Sequence, residues 1–220
     1  MDFSLTLVDL NPRMVAAWRG VFAEAEGVRV LQGSLLAVPG DAWVNPTNAR
    51  CAMDGGLDLA IKNHLGAPIQ ARVRRAVRTL FGEALPVGRA VCVETGRERP
   101  RYLVSTPTMH GPSENVSATL NVALACAAAF QAVRMLNEAR PGAVRSVVMP
   151  GLGAGTGRVP PEVCADLMWT AWDLFSREHF EDFDHVREAL EAELGANDAR
   201  PVYAGPRRVV PEDLRHREVV

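Results

Sequence analysis

The chain has 220 residues, 48% of them apolar and 23% charged, which suits one globular domain that is stable without staples. Lys plus Arg number 24 and Asp plus Glu 26, and this near-neutral balance argues against a general pull toward nucleic acid or an anionic membrane. Four cysteines, Cys51, Cys92, Cys126 and Cys164, show no Cys-x-x-Cys spacing and no accompanying histidine cluster, so neither a disulfide framework nor a zinc site is expected.

Met1 to Leu10 carries Asp2 and Asp9 rather than a basic-then-apolar leader, and no run of about 18 apolar residues occurs, so a cytoplasmic protein is expected. Phe3 to Val8 alternates as a strand. Asn11-Pro12 opens a helix expected to run to Glu24. Val28 to Leu31 is a second strand, and Trp43-Val44 ends a third short apolar run. Gly55-Gly56 opens a helix with Leu57, Ala60, Ile61 and Leu65 on its apolar face and Gly66 as its C-cap. Another helix spans Ile69 to Leu80. Arg89 to Val93 and Tyr102 to Val104 read as strands, Thr119 to Leu136 as a long buried helix, and Ser146 to Met149 as a strand. A glycine loop follows over Gly151 to Gly157, then helices from Pro160-Pro161 to Phe175 and from Phe183 to Leu194. Asn, Pro, Gly and Arg dominate beyond Gly195. The expected organisation is one domain over residues 1–195 and an extended tail over 196–220.

Strands alternating with helices give an α/β fold with a mainly parallel sheet covered on both faces. Two segments carry the chemistry of such a fold. In Val44-Asn45-Pro46-Thr47-Asn48 to Asp58, two amides leave a strand at the carboxyl edge, where open sheets bind ligands. An amide both donates and accepts, which suits sugar hydroxyls. Gly55 and Gly56 let backbone approach a ligand, and Asp58 follows in the first helical turn. The same residues also read as turn punctuation and dipole compensation. In Met149 to Pro160, glycines at 151, 153, 155 and 157 allow a backbone nest for a diphosphate, or simply a tight turn. No Gly-Lys-Ser/Thr follows, so this is not the phosphate loop of nucleotide hydrolases.

Taken together, these segments resemble the macro domain family. Asn45, Asn48 and Asp58 fit its spacing, Val87-Gly88-Arg89-Ala90-Val91 to Thr95-Gly96 looks like its next glycine stretch, and Gly151 to Pro160 occupies its second ligand loop. The likeness covers Val28 to Phe175. It implies a three-layer α/β/α fold with a mixed, mostly parallel sheet and a cleft for ADP-ribose. In that picture Asn45 and Asn48 face the distal ribose and Gly55, Gly56 and Leu57 line the first loop. Gly153, Ala154, Gly155, Thr156 and Gly157 wrap the diphosphate. An acidic residue at the place of Asp58, with Asn48, serves catalysis in hydrolytic members. The implied partner is a nucleotide of the ADP-ribose class or an ADP-ribosylated protein, with no cofactor, no metal, no membrane and no nucleic acid. The implied function is ADP-ribose binding, with hydrolysis of mono-ADP-ribosyl groups or O-acetyl-ADP-ribose, or a non-catalytic scaffold of altered ligand, as alternatives.

Five positions depart from the pattern. Ser34 stands where the family usually has Asp against the adenine amino group. Met53-Asp54 replaces the front of a glycine run, placing bulk and negative charge beside the ligand. Lys62 replaces a frequent His, and its spacing from Asp58 predicts a helical i,i+4 ion pair. Gly157 stands where an aromatic often packs on ribose. A looser likeness of Leu7 to Asn11, with Asp9 as a ribose ligand, to methyltransferases lacks their glycine-rich loop. His110 reads as a lone loop histidine, and Trp169 with Trp172 as core spacing.

Overall fold

The computed structural model describes residues 2–195; the expected tail over 196–220 lies outside the described residues. Six strands form one sheet: β1 (Ser4–Asp9), β2 (Val28–Gln32), β3 (Ala42–Asn48), β4 (Val91–Glu94), β5 (Tyr102–Met109) and β6 (Ser146–Met149). Their order is β2-β1-β6-β3-β5-β4, parallel throughout except for β4 against β5.

The period of two along each strand divides the core. Leu5, Leu7, Val44, Val104, Val147 and Met149 point to one face and Val8, Trp43, Leu103 and Val148 to the other. The first face is covered by α1 (Pro12–Val21), α4 (Asn121–Ala139), α5 (Pro161–Arg177) and α6 (Phe183–Glu193). The second is covered by α2 (Gly56–Leu65) and α3 (Pro68–Phe81). This is the three-layer α/β/α arrangement with a mixed sheet that the sequence predicts. The Ala-rich α4 packs into its centre, buried from Asn121 through Val133. Trp172 meets Phe130 edge-on and Trp169 meets Phe22, so both tryptophans are packing residues.

Boundaries differ where tertiary pairing decides them. The first helix stops at Val21 instead of Glu24, because Phe22 carbonyl accepts from Ala25 N–H and the chain turns into β2. β5 runs five residues beyond Val104, since it pairs with β3 along the whole length of that strand. β3 itself continues through Pro46 to Asn48 with an irregularity at Thr47/Asn48.

β3 and β6 pair over only two positions, Ala42 with Val147 and Trp43 with Val148. Asp41 anchors that short seam: its Oδ2 accepts from Arg145 N–H at 2.9 Å, Ser146 N–H at 3.0 Å and Ser146 hydroxyl at 2.9 Å. Beyond the seam the two strands are no longer paired. Two open hollows of about 630 and 490 Å³ lie elsewhere. The first is lined by residues including Asp2, Ser4 and Arg145, the second by residues including Gly27, Trp169 and Trp172.

Candidate ligand-binding cleft

At the carboxyl edge the chain leaves two neighbouring central strands, β3 and β6, in the two loops that the sequence singles out. β3 delivers the first. Asn45 and Thr47 are two residues apart, so they share a strand face. Both are buried, and Asn45 Nδ2 donates to Ser105 Oγ on β5 at 3.4 Å. The chain then turns: Asn48 Oδ1 accepts from Arg50 N–H at 3.0 Å, and Cys51 adopts a left-handed φ of 49°. Asn48 remains half-buried at the rim, whereas Asn45 has no exposed surface and sits beneath the loop.

Asp58, in the first turn of α2, is 7% exposed, and its Oδ1 has no protein partner among the described residues. Burial pushes its carboxyl up to about 6. Asn45 and Thr47 face it and pull the value back without closing an ordinary hydrogen bond. Asp54 raises it and Lys62 lowers it. The expected Asp58–Lys62 ion pair does not form. α3 packs beside α2, and Lys62 Nζ donates to Gln70 Oε1 at 3.3 Å instead. Nor does Met53 crowd the opening, because it is fully buried in the core beneath α2 while Asp54 stays exposed. Burial likewise pushes the Cys51 thiol up to about 12, which removes it as a nucleophile.

β6 delivers the second. Gly151 N–H donates to Asp9 Oδ2 at 3.2 Å, and Asn11 N–H to Asp9 Oδ1 at 2.8 Å, so Asp9 braces the loop rather than offering itself to a ribose. Gly153 and Gly157 are buried, Ala154 half-buried, and Gly155 and Thr156 form the exposed tip. Gly153 has φ +70°, a conformation natural to glycine. A Cβ on Gly157 would lie 2.6 Å from Gly153 carbonyl and 2.8 Å from Val116. No aromatic side chain can stand there.

Neither loop satisfies its own backbone donors. Among the described residues, no protein acceptor takes the N–H groups of Ala52 to Asp58, nor those of Leu152 to Gly157. The first run ends in the open N-terminal turn of α2, where Gly55 supplies no side-chain cap. A run of free N–H groups that ends on a helix N-terminus, like one in a glycine loop, is an anion-binding geometry.

A model of the macro domain matches residues 44–168, spanning both loops. This chain belongs to the macro domain family. It is 35% identical over 141 residues to a protein of Aquifex aeolicus, covering 64% of this chain and 78% of that one. It is 29% identical over 174 residues to the macro domain-containing protein SCO6450 of Streptomyces coelicolor, covering 77% and 99%. Among solved structures, the macrodomain of Thermus aquaticus DarG superposes with a TM-score of 0.52 at 26% identity, over 65% of this chain and 88% of that one. An Oceanobacillus iheyensis macrodomain variant with ADPR gives 0.53 at 19% identity, over 88% and 95%, which is a likeness of fold.

Within this macro domain, the segment carrying Asn48, Gly55, Gly56, Leu57 and Asp58 leaves β3 and the 153–157 loop leaves β6, which are neighbours in the sheet. Asn45 and Thr47 lie beside Asp58. Sequence reasoning missed Thr47, although its place two residues after Asn45 was the available signal. The His110 ring is not lone: its Nδ1 lies 3.6 Å from Glu114 Oε2, which also accepts from the main-chain N–H groups of His110 and Gly111 at 2.7 and 3.3 Å. No described helix is long and apolar enough to cross a membrane.

Proposed function

We propose that this macro domain binds ADP-ribose, free or attached to protein, in the crevice between the 52–58 and 152–157 loops. The observation that carries the reading is the pair of unpartnered N–H runs. A diphosphate carries acceptors on both sides and leaves neither array orphaned, so its binding recovers hydrogen bonds that the fold itself leaves open. Asn48 at the rim offers a donor and an acceptor to ribose. The ADPR complex of the Oceanobacillus iheyensis neighbour supports the same ligand class. Calorimetry is the test. ADP-ribose is expected to bind in the micromolar range, and Asn48→Ala to weaken it about tenfold, with an unchanged melting temperature as the control. No heat with millimolar ADP-ribose overturns the reading.

A second reading, hydrolysis of an ADP-ribosyl group, is favoured by Asp58. Its carboxyl is buried with one oxygen unpartnered, and at about 6 it is still mostly ionised at pH 7. Such a group can orient a water and accept its proton. Release of ADP-ribose from a modified protein, followed by chromatography, is expected to fall at least a hundredfold in Asp58→Asn. Equal release by both proteins removes Asp58 from the chemistry.

A further inference from the structure

Charge is spread unevenly over the molecule. From Leu59 to Gly82 there is no Asp or Glu, against Lys62, Arg72, Arg74, Arg75 and Arg78. The near-neutral balance of the whole chain hides this local excess. α3 turns Ile69, Val73, Ala76 and Val77 into the core, which leaves its four arginines exposed on the other side. Among the described residues, none of the four pairs with a carboxylate.

Little of this serves the fold. Arg72 with Arg75, Arg75 with Arg78, and Arg74 with Arg78 stand three or four residues apart, where like charges on a helix repel. Arg78 alone lies in the last turn, where the helix dipole favours a cation. Of the four, only Arg72 donates a hydrogen bond among the described residues, to Glu94 carbonyl at 2.8 Å. Arg97 Nη2 donates to His64 carbonyl at 3.4 Å. These two bonds hold the 95–101 loop, with its exposed Arg97 and Arg99, against α2 and α3. Of the acids there, Glu94 is taken by Arg140 at 2.8 Å, and Glu98 is exposed between Arg97 and Arg99.

What this face lacks narrows its partner. The exposed large hydrophobics among the described residues are Leu10 and Val163, and neither is on α2, α3 or the 95–101 loop. A membrane surface takes an apolar face that inserts, a protein partner an apolar interface core, and a single strand aromatic rings to stack on. Guanidinium groups without any of these match a row of phosphates, which they grip through planar, paired N–H groups. We propose that the arginine face of α3, with Arg97 and Arg99 beside it, is a docking surface for duplex DNA that holds the phosphate backbone without reading the bases. Such a contact releases counterions, so it weakens with salt and is indifferent to sequence.

Fluorescence anisotropy with a labelled duplex tests this. At about 50 mM salt the parent is expected to bind with a Kd of about 10–100 μM, and a duplex of unrelated sequence within about twofold of that. Arg75→Ala combined with Arg78→Ala removes two exposed side chains and is expected to melt like the parent. Its binding is expected to be about tenfold weaker, with the slope of log affinity against log salt smaller by about 2. Arg19→Ala combined with Arg29→Ala, an equal loss of charge at exposed positions of α1 and β2, is expected to change the affinity less than about twofold. Absence of duplex binding at low salt overturns the proposal. So does an unchanged affinity in the α3 pair, an equal loss in both pairs, or tighter binding to anionic phospholipid vesicles or to the single strand.

Discussion

Asp58 carries an energetic cost that can be measured without a ligand. Its folded carboxyl, at about 6, lies above the ordinary value of 3.8, so the folded state holds the proton more tightly than the unfolded chain. Both states are protonated well below pH 3.8, and there the residue costs nothing. Stability then falls as pH rises through the window from about 4 to about 6, and above it the cost is fully present. Asp58→Asn removes the charge and keeps the shape. It is expected to match the parent near pH 3.5 and to exceed it by about 1–3 kcal/mol at pH 8, read by denaturant melts. Equal stabilities at pH 8 would mean that the carboxylate is solvated better than its burial implies. A buried acid held at a cost beside two unpartnered polar atoms, Asn45 Oδ1 and Thr47 Oγ1, is the pattern of a group kept for chemistry rather than for stability.

At the scale of elements, the 151–157 loop mixes two kinds of glycine. Gly157 is packed against Gly153 carbonyl and Val116, whereas a Cβ on Gly155 would meet nothing within 4 Å. Gly157→Ala is therefore expected to lower stability by about 1–3 kcal/mol through displacement of the loop, and Gly155→Ala to leave the melting curve within about 0.5 kcal/mol of the parent. Thermal melts of the pair separate the roles. The sequence shows four glycines at alternate positions, but not which are packed, because that depends on Val116 arriving from a distant segment. The same limit applies elsewhere. Strand–helix alternation and the places of the two glycine-containing loops were legible from local pattern and spacing. The extension of β3 through Asn45-Pro46 was not, since that dipeptide reads as a turn until β5 pairs with it. The Lys62 spacing gave a sound local expectation that a neighbouring helix overrode with Gln70.

At the scale of the molecule, the chain divides its sheet by sequence. The stretch from Ala42 to Met109 builds the β3-β5-β4 half, while the flanking parts build the β2-β1-β6 half. The halves share the helical layer of α4 but only two strand pairings, clamped at one end by Asp41. One ligand loop of the proposed site comes from each half. A ligand held by both, as proposed, would be a strap across the weakest zip in the sheet, and its occupancy would stiffen the molecule along the line where its ladder is shortest.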